Sequence, residues 1–168
     1  QMLQDVFMFT GTIGTNIALR DETITNEDIM EACKFVNADK IVDKMAKGLD
    51  EPVLERGNNF SAGERQLISF ARVIAHKPNI MILDEATANI DTETEVLIQD
   101  SLKKMMNVGT MLIVAHRLST IQHADNIILL SHGEIKEQGN HQELLAKKGR
   151  YYHLYTLQFS KQQLEKGE

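Results

Sequence analysis

The sequence is short of several things, and each shortage removes a class of protein. One cysteine, Cys33, occurs among 168 residues, so no disulfide can close within the chain and a disulfide-stapled scaffold is excluded. Cys33 lies in an amphipathic stretch, which suits core packing better than a role as nucleophile or ligand. No run approaches the ~18 consecutive apolar residues that cross a bilayer, so the expectation is a cytosolic chain whose contact with a membrane is indirect. Positive charge is also scarce. Eighteen Lys and Arg stand against 24 Asp and Glu, a net charge of -6. Such a field repels polyanions, so non-specific binding to nucleic acid or to an anionic membrane is excluded, and a polyanionic ligand would need a local site. Repeats and low-complexity segments are missing too. What is there is ordinary: 42% hydrophobic and 25% charged residues fit one globular domain with one core.

The opening QMLQDVFMF reads like the middle of a strand and loop, which makes the chain, by expectation, a piece of a longer protein. From Thr25 a helical period begins, with Thr25 as cap, Asp28 at the third helical position, and Ile29, Cys33 and Val36 on one face. A short helix is expected over 39–45. Gly, Pro and Asn-Asn signals make 48–60 an irregular loop. Ser61 and Glu64 form a capping box for a helix with Leu67, Ala71 and Ile74 along one face, ended near His76 by Lys77-Pro78. The apolar run 80–83 ends in two acids and reads as a parallel strand buried on both faces. A second run, 111–115, ends in His116. A helix over about 94–106 separates the two, which makes a parallel crossover unit. Then NIILLSHGEIKEQG reads as a strand pair turning at His132-Gly133, Asn140 as the cap of a helix with Glu143 at its third position, and 151–168 as a polar helix.

Polar groups at the carboxyl ends of parallel strands line the ligand crevice of open α/β sheets. Asp84, Glu85 and His116 fall there together. Asp84 suits a direct or water-mediated role toward Mg²⁺, Glu85 can polarise an attacking water, and His116 can bond a terminal phosphate or hold that water. A lone acid or histidine after a strand more often serves only its own turn; the adjacent pair of acids turns the balance toward chemistry. In FSAGERQ, Ser61, Ala62 and Gly63 offer a helix N-terminus that an anion can approach. The capping box alone explains Ser61 equally well.

Taken together these segments resemble the ATP-binding-cassette (ABC) family. FSAGERQ is similar to its signature motif, MILDEAT to its Walker B strand with the following glutamate, ANID to its D-loop, and AHR to its switch histidine. LQDVFMFTGTIGTNI is similar to the glutamine loop of exporter-type members, and VLERG to the acidic loop before their signature. The order and spacing agree across essentially all 168 residues, and several motifs in order are far more specific than any one. The resemblance implies an α/β, P-loop NTPase (RecA-like) parallel sheet, represented by its C-terminal part, with an α-helical signature subdomain. Residues 1–76 would hold the glutamine loop and that subdomain, and 77–168 the C-terminal part of the ATPase core with its terminal helices.

The same resemblance implies site roles. Gln4 would sense Mg²⁺ and the attacking water, Asp84 would support Mg²⁺, Glu85 would be the general base, and His116 would contact the γ-phosphate. Ser61, Ala62, Gly63 and Glu64 would serve ATP held by a second nucleotide-binding domain. Asp91 would tie the two subunits' sites together, and Glu55 would face the transmembrane domain. The expected function is ATP hydrolysis that powers an exporter at the cytoplasmic face of the membrane, with ATP and Mg²⁺ as ligands and no nucleic acid. Other readings are an ABC ATPase that works on DNA or the ribosome, and a regulatory half-site. The first would bring basic patches or heptad insertions, and the second would have lost Glu85 or His116; neither feature is present.

Two departures stand out within the signature. Ala62 replaces the family's usual glycine and Glu64 its frequent glutamine, adding a methyl and a negative charge where a phosphate would approach; unequal sites in a heterodimer would fit this. A larger departure is that G-x-x-x-x-G-K-[ST] occurs nowhere in the chain. The 168 residues by themselves are therefore expected to bind ATP weakly, hydrolyse none, and expose a sheet edge and apolar face that favour self-association.

Overall fold

A computed structural model of the chain describes residues 6–84, 90–115 and 118–165, without side chains at Ser119 and 159–165. Two compact units result, Gln1–Val114 and Ala115–Glu168. The helix over 62–75 and the strand over 80–84 share one core within the first unit.

In the first unit β1 (Gly11–Thr12) leads into α1 (Ile13–Ala18), followed by α2 (Asn26–Phe35) and α3 (Asp39–Val42). The capping box of α2 forms as its spacing requires: Thr25 Oγ accepts from Asp28 N–H, and Asp28 accepts from Thr25 N–H. Helix α3 is shorter than the expected 39–45. The region 48–60 is more ordered than its loop-like composition suggests. It has 3₁₀ turns at Gly48–Asp50 and Glu55–Gly57, and β2 (Pro52–Val53) pairs antiparallel with β1, Gly11 opposite Val53. That pairing joins segments forty residues apart, which local turn signals cannot reveal.

Helix α4 (Ala62–Ala75) is the centre of the unit. Leu67, Ile68, Phe70 and Ala71 are all fully buried, in one cluster with Ile13 and Ile17 of α1, Ile29 and Cys33 of α2, and Ile98, Leu102 and Met105 of α5 (Thr92–Met105). Each such large side chain contributes roughly 1.5–3 kcal/mol by leaving water. Cys33 is one of them, and burial pushes its thiol pKa up to about 12, so it packs as a small apolar group.

β3 (Ile80–Asp84) and β4 (Thr110–Val114) pair in parallel around α5, with Ile80 opposite Thr110 and Asp84 opposite Val114. This is the expected crossover unit, but the expectation of burial on both faces is corrected. Met81 and Leu83 are buried in the cluster, whereas Ile80 is 67% and Ile82 38% exposed, with Leu112 and Val114 also open on β4. Successive residues of a strand point to opposite faces, and among the described residues only one face of this pair is covered. An unbroken apolar run cannot tell which.

The second unit contains α6 (Leu118–Ile121), the antiparallel pair β5 (Ile127–Ser131) and β6 (Glu134–Gly139), then α7 (His141–Lys147) and α8 (Arg150–Glu165). His132 and Gly133 turn the hairpin with φ of 54° and 77°, the left-handed pair that matches strand twist. Asn140 caps α7 through Glu143 N–H. A small core forms from Ile127, Leu144 and Tyr151, with the Tyr151 hydroxyl 2.8 Å from His141 Nδ1. The Glu137 carboxylate accepts from the N–H groups of Arg150 and Tyr151, capping α8 from the neighbouring strand.

Candidate functional site

Ser61 sits exposed at the N-cap of α4, its Oγ accepting from Glu64 N–H at 3.2 Å while Glu64 Oε2 accepts from Ser61 N–H at 2.8 Å. The charge at position 64 is thus spent inside the box, where a carboxylate is as good an acceptor as an amide and complements the helix N-terminus. The Ala62 and Gly63 N–H groups have no acceptor within the helix. Ser61 uses its oxygen as acceptor and keeps its O–H to donate. Together these form a small set of donors on a helix of 14 residues.

Gly63 is buried, and its surroundings are its own chain. A Cβ there would run into Thr94 Cγ2 and lie 3.0 Å from Thr94 Cβ and 3.1 Å from Ile90 Cγ2. Asp91 is exposed at the N-cap of α5 and accepts from Thr94 N–H at 2.9 Å. That N–H and the Thr94 hydroxyl hold its carboxyl below the usual carboxylate pKa. The cap places the start of α5 two residues before the expected 94.

Asp84 is the last residue of β3, half-buried. Glu85 follows it in sequence, and His116 comes two residues after Val114, the register partner of Asp84. Gln4, Glu85 and His116 themselves lie outside the described residues. Among those described, no group of three His, Cys, Asp or Glu side chains could cage a metal. A single carboxylate such as Asp84 nonetheless fits Mg²⁺, which commonly takes one or two carboxylates and completes its shell with water and phosphate oxygens.

Glu55 is exposed in the 3₁₀ turn Glu55–Gly57, beside the exposed Leu54. Phe7 and Phe9 are also exposed and meet edge to face, centroids 4.8 Å apart. Residues that composition alone did not single out tie these segments down. The half-buried Arg72 donates from Nε to Asn16 O at 2.8 Å and from Nη1 to Phe7 O at 3.2 Å. Asn16, itself buried, accepts from Phe9 N–H and donates to Phe9 O, both at 2.8 Å. Arg65, two turns before Arg72 on α4, donates to Phe60 O at 2.6 Å. Gly57, at φ 67°, packs so closely on Met8 that an added Cβ would lie 2.8 Å from Met8 Cγ. The available signal was the pair of arginines seven residues apart on a helix with an apolar face, a spacing that returns to the same side after two turns.

A family model described as ABC transporter matches residues 3–88. The chain belongs to the ABC transporter family. It is 54% identical over 157 residues to a probable multidrug resistance ABC transporter ATP-binding/permease protein of Bacillus subtilis, covering 94% of this chain and 23% of that protein. A putative multidrug export ATP-binding/permease protein of Staphylococcus aureus is 46% identical over 155 residues, 92% of this chain and 27% of its own length. A solved bacterial Atm1-family ABC exporter with ATP bound superposes with a TM-score of 0.81 at 36% identity, covering 92% of this chain and 27% of that one. The chain therefore has the α/β fold of an ABC ATPase over the part it represents, and it spans about a quarter of the length of these relatives.

Proposed function

We propose that this chain is part of the nucleotide-binding domain of an ABC exporter, in which ATP hydrolysis between two such domains drives transport through an attached membrane domain. The observation that carries the reading is the parallel pairing of Asp84 with Val114 at the carboxyl ends of β3 and β4, which supports reading Asp84 as the Walker B carboxylate, with Glu85 next in the chain. Asp84 would support Mg²⁺, which when bound neutralises charge on the phosphates. Glu85 would accept the proton of the attacking water, His116 would hold the terminal phosphate, and Gln4 would sense the ion and the water. The exposed cap of α4 supports a role for Ser61, Ala62 and Gly63 at the partner domain's ATP, with O–H and N–H donors directed outward from a helix N-terminus, and with Glu64 completing the cap. Asp91 would link the two subunits' sites.

No described helix is long and apolar enough to cross a membrane. The membrane domain would supply that, at the cytoplasmic face. Exposed Phe7 and Phe9, which pack on each other, and exposed Leu54 beside Glu55 support docking there, in segments tied to α4 through the Phe7 and Gly57 carbonyls that Arg72 and Arg65 hold. The parts assigned to signature subdomain and ATPase core would be 1–76 and 77–168. Glu85→Gln in the full-length protein tests the reading. ATP binding is expected to persist while turnover falls by roughly 10²-fold or more, the scale of general base catalysis. Phosphate release at the unsubstituted rate would remove Glu85 from its role.

A further inference from the structure

Glycine inside a helix calls for a reason, because it is a poorer helix former than alanine. One reason would be access for a ligand. The structure shows another: the volume a side chain would fill at position 63 is already taken by Thr94 and Ile90 of the same chain. Rotation of Thr94 relieves only part of the overlap. Its N–H bonds the Asp91 carboxylate at 2.9 Å, which ties its backbone to the cap of α5, and with the methyl turned away Thr94 Cβ and Ile90 Cγ2 would still lie 3.0 and 3.1 Å from the site. The contacts therefore run without a gap from the first turn of α4, through Gly63 and Thr94, to the cap of α5.

We propose that Gly63 is a positioning residue: its bare Cα seats the signature turn on Thr94, and so holds Ser61 and Asp91 in fixed register within one subunit. Ser61 would face the partner's ATP and Asp91 the partner subunit, so the inference rests on the function proposed above. It adds that the two groups move as one body, and that any side chain at 63 displaces both. Glycine is then required here by the chain's own packing, whatever the phosphate itself demands.

Rescue separates the two explanations. In the full-length protein, Gly63→Ala is expected to lower ATP turnover about tenfold or more, because the overpacked turn must shift to relieve the clash and carries Ser61 and Asp91 with it, with the KM for ATP little changed. Adding Thr94→Ser removes the methyl that makes the closest contact and keeps the backbone N–H bond to Asp91, and it is expected to restore part of the lost turnover. If crowding of the phosphate were the cause, Thr94→Ser would restore nothing, and that result overturns the proposal; so does normal turnover in Gly63→Ala alone. Should Gly63→Ala fail to fold, Thr94→Val tests the other link, since it keeps the shape facing Gly63 and the backbone bond to Asp91 and removes only the hydroxyl that helps hold the Asp91 carboxyl below its usual pKa. A severalfold fall in turnover at unchanged thermal stability is then expected, and unchanged turnover overturns the inference. Ser61→Arg, made in parallel, tests the underlying reading: full activity there would sink the signature role itself, whereas lost activity without rescue at 94 sinks only the coupling through Gly63.

Discussion

Helix α4 and the β3–β4 pair both come from apolar runs of the sequence, yet their surroundings differ. Around α4 the cap is closed, Arg65 and Arg72 are paired with carbonyls, and the apolar face is buried. The strand pair is covered on one face and open on the other, at Ile80, Ile82, Leu112 and Val114. The helical layer is complete within this chain, and the sheet presents apolar surface that the described residues do not cover.

Substitutions on the two sides should therefore differ in size. The largest effect is expected for Phe70→Ala, which empties a fully buried site at the middle of α4. A loss of about 3–5 kcal/mol is expected from the transfer and cavity terms, checked by denaturant unfolding of the 168-residue chain. A loss under 1 kcal/mol would mean that α4 is not the centre of the core. Ser61→Ala should cost less, about 1 kcal/mol, because one cap bond is lost at an exposed end while the Glu64 carboxylate still accepts from the backbone. The same titration measures it, and no change would show that water replaces the cap. Smallest for stability is Leu112→Lys on the open face, expected within about 0.5 kcal/mol as for other surface changes. Its effect should appear instead in light scattering, as reduced self-association of the chain. Equal scattering before and after would show that this face is not what makes the chain associate, and would weaken the contrast.

Legibility followed the range of the interaction. Three capping boxes, at Thr25, Ser61 and Asn140, could be read from residues three apart because both partners lie within one turn. The hairpin turn at His132-Gly133 and the β3–α5–β4 crossover are equally local in origin. The start of α5 lies two residues before the expected 94 because the Asp91 carboxylate caps the helix, a role that its place in the D-loop resemblance does not reveal. The order inside 48–60 was missed because it depends on β1 and on Met8, far away in sequence.

The candidate site divides in the same way. Residue types and their order were enough for the sequence alone to name Asp84, Ser61, Gly63 and Asp91, since each belongs to a short motif with its own chemistry, and Gln4, Glu85 and His116 rest on that ground still. Cys33 as a packed thiol also followed from its helical phase. Only the tertiary structure decided which face of the strands is open, which carbonyls Arg65 and Arg72 hold, and that Gly63 has Thr94 where a side chain would be. Those facts depend on side chains meeting across tens of residues at distances near van der Waals contact. A pattern of residue types sets which contacts are allowed, but the close packing of a folded interior selects among them.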